Sequence, residues 1–93
     1  LKSVLQDTKE CYICGRTNCL EDHHIFFGTA NRKRSEKRGL KVWLCNADHR
    51  NGPQAVHRNR ETDLHLKEMA QTYYEQNIGT RQQFIIEFGK SYL

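Results

Sequence analysis

Residues 11–27 read Cys11-Tyr12-Ile13-Cys14-Gly15-Arg16-Thr17-Asn18-Cys19-Leu20-Glu21-Asp22-His23-His24-Ile25-Phe26-Phe27, and the rest of the chain is best read outward from them. Two thiols two residues apart, followed at once by a glycine, have the shape of a zinc knuckle, in which a permissive backbone curls around the ion. The Cys11–Cys14 pair needs two more ligands. Cys45 is the third, at the end of a second apolar segment. Repeating the knuckle spacing from Cys45 lands on Asp48; Cys19 is the rival fourth ligand, and His49 a weaker one. Ile25, Phe26 and Phe27 give the stretch from Cys19 to Phe27 strand propensity. Leu40 to Cys45 predicts a second strand, because Val42 and Leu44 alternate with Lys41 and Trp43.

The flanks follow from punctuation and periodicity. Gly28 to Gly39 is polar, basic and without apolar periodicity, which predicts a loop. Asn46 to Pro53 is turn-like and ends in the Asn51-Gly52-Pro53 breaker. From Arg60 to Asn77 the pattern is helical, with Leu66, Met69, Ala70, Tyr73 and Tyr74 on one face and Gly79 as the stop. Thr80 then opens a second short helix with Gln83 at the capping-box position; Phe84, Ile85 and Phe88 are its apolar residues, and Gly89 ends it. Leu1 to Glu10 fits either a helical turn or a loose tail.

Composition narrows the possibilities. Ninety-three residues make a single domain, too short for a barrel or a full dinucleotide-binding fold. With 37% hydrophobic and 28% charged residues the core is thin, and such domains commonly need a metal staple. No apolar run reaches the ~18 residues of a membrane span. Residues 1–10 hold no apolar stretch suited to a signal peptide. Four cysteines without a secretion signal point to metal ligation in a reducing, cytoplasmic setting rather than to disulfides. The formal charge of +4 is modest, but Arg32, Lys33, Arg34, Lys37, Arg38 and Lys41 crowd into ten residues opposed only by Glu36. Taken alone such a run is an ordinary solvated loop.

Three blocks together carry a resemblance: Cys11-Tyr12-Ile13-Cys14, Leu20-Glu21-Asp22-His23-His24-Ile25 and Val42-Trp43-Leu44-Cys45-Asn46-Ala47-Asp48-His49. In this order they resemble the His-Asn-His (HNH) nucleases, also called ββα-metal nucleases, over roughly residues 11–58. The ending Phe88-Gly89-Lys90-Ser91-Tyr92-Leu93 is similar to the tail of small phage-type members. The resemblance implies an α+β fold, with a zinc-stapled ββα-metal core over residues 11–58 and a C-terminal helical extension over 59–93. It implies that His23 binds a catalytic divalent metal, that His24 is the general base, and that His49 is a second metal ligand. His57 matches the third ligand, at a longer spacing that makes residues 50–56 an inserted turn. The chain departs from the family at Asp48, where cysteine or histidine is usual, and at the middle Asn, where Leu40 stands. Asn31 and Ser35 are candidates for that bracing role.

The chemistry is coherent on its own terms. Phosphodiester hydrolysis needs a base, and imidazole titrates near neutrality. It also needs charge relief, which a divalent ion supplies to the phosphate and the leaving oxygen. Beside a nuclease-like site the basic run and Arg50 become the candidate contacts to a nucleic-acid backbone, a sequence-independent and salt-sensitive kind of binding. The expectation is therefore a DNA endonuclease with a structural Zn2+ and a catalytic Mg2+, Mn2+, Ni2+ or Zn2+. The alternative is a non-catalytic zinc module that docks nucleic acid, for which a free histidine beside a metal ligand has no use. His65, alone within its helix, is read as an ordinary surface residue.

Overall fold

The two predicted strands pair with each other. In the computed structural model, which describes residues 2–53 and 55–93, β1 (Leu20–His24) lies antiparallel to β2 (Lys41–Cys45), with Leu20 opposite Cys45 and His24 opposite Lys41. Between them runs α1 (Thr29–Arg38); after them come a π-helical turn (Ala47–Asn51), α2 (Arg60–Asn77) and α3 (Arg81–Phe88). A two-stranded sheet is marginal alone. Here its Val42 and Leu44 face is buried together with Ile25, Phe26 and Leu40 of the flanking segments, Leu66, Ala70 and Tyr74 of α2, and Phe84 and Phe88 of α3. Phe26 is the hinge of this packing, with ring centroids 5.2 Å from Phe84 and 4.6 Å from Phe88. The C-terminal helices therefore share the core of the sheet. The result is a small α+β domain. None of the helices of the described residues is long and apolar enough to cross a membrane.

The predicted boundaries hold for the last two helices. Asn59 caps α2 by accepting from the backbone N–H groups of Glu61 and Thr62, and Thr80 and Gln83 form the expected capping box on α3. The first strand is shorter than its apolar residues suggest. Cys19 takes a left-handed φ of 54° and so falls outside the ladder, and the chain leaves the sheet after one further bond, Ile25 N–H to Leu40 O (3.1 Å). Residues 2–10 form no helix; they run along the outer side of β2, where Val4 N–H donates to Gly39 O (2.9 Å) and Trp43 N–H to Gln6 Oε1 (2.9 Å).

The predicted loop from Gly28 to Gly39 is corrected to a helix, α1. Apolar periodicity is absent because α1 buries a single residue, Ser35, and attaches itself by polar bonds. Ser35 Oγ donates to Leu40 O (2.6 Å) and accepts from Phe26 N–H (3.2 Å), joining the exit of β1 to the entry of β2. Lys37 and Arg38 in its last turn suit the helix dipole, and Gly39 closes it in the left-handed region at φ 69°.

Arg38 also ties α1 to α3. Its Nε and Nη2 donate to the two carboxylate oxygens of Glu87, each at 2.8 Å, and Tyr74 Oη donates to the same carboxylate. The Arg38 hydrogen bonds outweigh burial and hold the Glu87 carboxyl below its ordinary 4.5. A carboxyl whose folded pKa is lowered contributes stability above its unfolded value and loses it as pH falls through the lowered one. Glu87→Gln is therefore expected to cost roughly 1–3 kcal/mol at neutral pH. The gap to the wild type should close in acid, below about 4.5. Thermal melts across pH check this; a gap that stays constant into strong acid contradicts it.

Candidate metal centres

The knuckle loop is built by backbone bonds from Gly15 N–H to Cys11 O (2.9 Å) and from Cys11 N–H to Arg16 O (2.7 Å), while Tyr12 N–H holds Trp43 O (2.8 Å). This docks residues 11–14 against the end of β2 and brings Cys14 Sγ to 3.6 Å from Cys45 Sγ. Asp48, in the turn that follows β2, accepts from Cys11 Sγ (3.1 Å) and Cys45 Sγ (3.3 Å) through Oδ2. Ligand atoms of Cys11, Cys14, Cys45 and Asp48 all lie within 4.8 Å of one another, a set that could hold a metal ion. Cys19 is exposed and stands outside this cluster, so of the two rival fourth positions it is Asp48 that is brought to the thiols. His49 points elsewhere. Burial raises the Asp48 carboxyl, but hydrogen bonds from the three thiols outweigh it and leave the group below its ordinary value. The Arg16 backbone N–H lowers the Cys14 thiol, yet Asp48 and Cys11 push it up to about 12, so an incoming ion has a proton to displace.

A second cluster lies on the other side of Asp48. Strand alternation puts Glu21 and His23 on one face of β1, and the π-helical turn sets His49 against that face. Residues 52–53 and 55–57 then bring the chain back. Gly52 is extended (φ −81°, ψ 164°), as a following proline requires. A Cβ at Gly52 would stand 2.5 Å from Ala47 O, so the turn accepts no larger residue without shifting. Ala55 and Val56 are buried, and Val56 N–H donates to Asp48 O (2.9 Å) and His57 N–H to His49 O (3.3 Å). His57 thereby stands beside His49, their Nε2 atoms 3.1 Å apart, and the His23 ring lies 5.0 Å from one and 5.3 Å from the other.

The donors of His23, His49 and His57 fall within 4.8 Å of one another. His23 is 2% exposed, and its Nε2 has no hydrogen-bond partner among the described residues, an expensive state for a polar atom unless something else takes the lone pair. Burial, reinforced by His49 and His57, pushes the His23 imidazole down to about 3, and burial also lowers His57. Three imidazoles clustered around an orphaned nitrogen make a donor set that could hold a metal ion, of the kind that suits transition metals. His49 Nδ1 bonds Glu21 Oε1 (2.5 Å), which leaves its Nε2 for the cluster. Compared with known proteins, the chain matches no family model, no curated protein and no solved structure.

His24 is not among the clustered donors, but it lines the same cleft of about 230 Å³, together with Arg32 and Arg50. Its side chain emerges on the opposite face of β1 from His23, beside Asp22 and opposite Lys41. Asp22, His24 and Glu36 also gather within metal-binding distance, yet Lys41 Nζ already bridges Asp22 (3.1 Å) and Glu36 (2.9 Å). The basic residues divide. Arg32, Lys33, Arg34, Lys37 and Arg50 are exposed. Arg38, half-buried, is paired with Glu87, and Lys41 is buried in ion pairs with Asp22 and Glu36. Of the bracing candidates, Ser35 spans the strand ends, while Asn31 Nδ2 donates to Phe88 O (3.1 Å) and ties α1 to α3. Sequence reading missed Glu21 and Glu36 as members of the site. Glu21 alone had a signal, its place two residues before His23 on the same strand face.

Proposed function

We propose that this chain is a small metal-dependent endonuclease of the HNH, or ββα-metal, type that hydrolyses DNA phosphodiester bonds. The observation that carries the reading is the convergence of His23, His49 and His57 on one cleft, with His24 on its wall and outside the ligand set. Three imidazoles suit zinc or nickel better than magnesium or manganese, which prefer oxygen ligands. A divalent ion held by His23, His49 and His57 would supply Lewis acidity to the phosphate and the leaving oxygen. His24 takes the proton of the attacking water, and Arg32 and Arg50 at the cleft rim orient the backbone phosphates. Cys11, Cys14, Cys45 and Asp48 would hold a structural zinc, which would fix the end of β2 and hence the turn carrying His49. Ser35 takes the bracing part that the family gives to its middle Asn. Reduced thiols at the knuckle fit a cytoplasmic setting.

Conversion of supercoiled plasmid to nicked circles on addition of a divalent ion tests the reading. A docking module retards the plasmid in a gel and leaves it uncut under every metal. The DNA-facing charge has its own check. Exchanging Lys33, Arg34 and Lys37 for glutamine should weaken DNA binding and flatten its salt dependence by up to about 0.9 in the log–log slope per lost phosphate contact. Melting should stay unchanged, since these side chains are exposed. Fluorescence anisotropy at several salt concentrations reads both affinity and slope; an unchanged slope contradicts the assignment of α1 as the DNA-facing helix.

A further inference from the structure

The proposed base has a built support that the family pattern does not call for. His24 Nε2 lies 2.8 Å from Glu36 Oε1, across the gap between β1 and α1. The same carboxylate is gripped by Lys41 Nζ, 2.9 Å from Oε1 and 3.2 Å from Oε2. Lys41 is itself buried, stands opposite His24 in the sheet, and is anchored on its other side by Asp22 Oδ2 at 3.1 Å. The carboxylate is therefore held in position whether or not DNA is present. His24, Glu36, Arg32 and Lys33 line a groove of about 720 Å³, and His24 and Arg32 also line the histidine cleft, so both residues border the two spaces.

We propose that Glu36 is the positioning residue of His24, fixing the ring orientation and the tautomer that leaves Nδ1 free to take the proton of water. This inference rests on the nuclease reading. An ionised carboxylate only accepts hydrogen bonds, so the nitrogen it faces must carry the hydrogen. With the Nε2–H pinned on Glu36, the lone pair of the neutral ring is on Nδ1. The proton abstracted from water comes to rest on Nδ1, and the resulting imidazolium keeps its Nε2–H on the carboxylate. No other group has to move. Lys41 supplies the rigidity, because a free glutamate on a helix surface would sample several rotamers and hold the ring loosely. Glu36 does not touch the substrate; it acts through His24.

The test uses the full chain with its metals bound. Nitrogen-15 spectra of the imidazole rings, with His24→Gln to assign the signal, report which nitrogen carries the hydrogen, and single-turnover cleavage of a DNA duplex gives the rate. The wild type is expected to show the Nε2–H form at His24. Glu36→Ala should lose that single tautomer and slow cleavage roughly 10–100-fold, with DNA affinity and metal content unchanged. Glu36→Gln, whose amide oxygen still accepts, should recover the tautomer and regain rate over the alanine variant. The wild-type spectrum needs no variant to fold. A His24 ring that carries its hydrogen on Nδ1, or a Glu36→Ala variant that cleaves at full rate, overturns the positioning role alone. A wild type that cuts no DNA overturns the nuclease reading and the inference with it.

Discussion

Stripping the metal from the thiol cluster should unfold the domain. Cys11 and Cys45 are buried members of the hydrophobic core, and Cys14 and Asp48 close a cluster that joins residues 11–14 to the end of β2. Without an ion, that corner is held by one backbone bond to β2, from Tyr12 N–H to Trp43 O, and by three thiols hydrogen-bonding to one carboxylate and to each other, in a domain whose sheet has two strands. Structural zinc in small domains contributes on the order of 10–16 kcal/mol at neutral pH, more than the whole stability of a typical domain of this size. Chelator is therefore expected to abolish the cooperative melt seen by circular dichroism, and Cys45→Ser to give a largely unfolded chain. Cys19→Ser, outside the cluster, should melt like the wild type. A metal-free protein with an unchanged midpoint would sink the structural role of the cluster.

His24→Ala separates chemistry from everything else. The ring is partly buried against Glu36, on the face of β1 away from His23, and contributes no donor to the three-histidine set. Its removal should lower the cleavage rate about 10²–10⁴-fold while leaving the metal content and DNA affinity close to wild type. His23→Ala should behave differently. It removes a ligand and the orphaned Nε2, so metal binding at the cleft falls together with activity. Single-turnover rates set beside elemental analysis distinguish the two. Equal rates for wild type and His24→Ala would remove the general base from the mechanism.

How far these features were legible in the sequence depended on whether they were local. The Cys11–Cys14 spacing, the Thr80–Gln83 capping box and the apolar face of α2 are encoded within a few residues, and they are where the spacing puts them. The choice between Asp48 and Cys19 was not local. It rests on the turn after β2, which brings Asp48 to Cys11 and Cys45 while Cys19 stands exposed outside the cluster. The helix α1 was hidden because apolar periodicity is the wrong probe for a helix held by Ser35, Asn31 and Arg38. Its left-handed Gly39 and the basic residues of its last turn were the usable signals. Charge alone could not separate Lys33 from Lys41. Both look solvated in sequence, and only the strand register, which puts Lys41 opposite His24 and near Asp22, turns one of them inward. The return of His57 to His49 was readable as far as Gly52-Pro53 forcing an extended exit from the turn; the anchoring by Ala55 and Val56 was not.

We propose two metal sites of different donor chemistry a few residues apart, of which the nitrogen-lined one carries the cutting. Titrating metal-free protein with cobalt, under conditions where it refolds on the first equivalent, tests this most directly. Thiolate ligation gives intense charge-transfer bands that imidazole ligation lacks, so the two sites fill under separate signals. The predicted result is cleavage that is absent after the thiolate signal saturates, rises with the next equivalent, and is lost in His49→Ala. Cleavage that is complete once the thiolate site is filled, or that never appears although both sites fill, would contradict it.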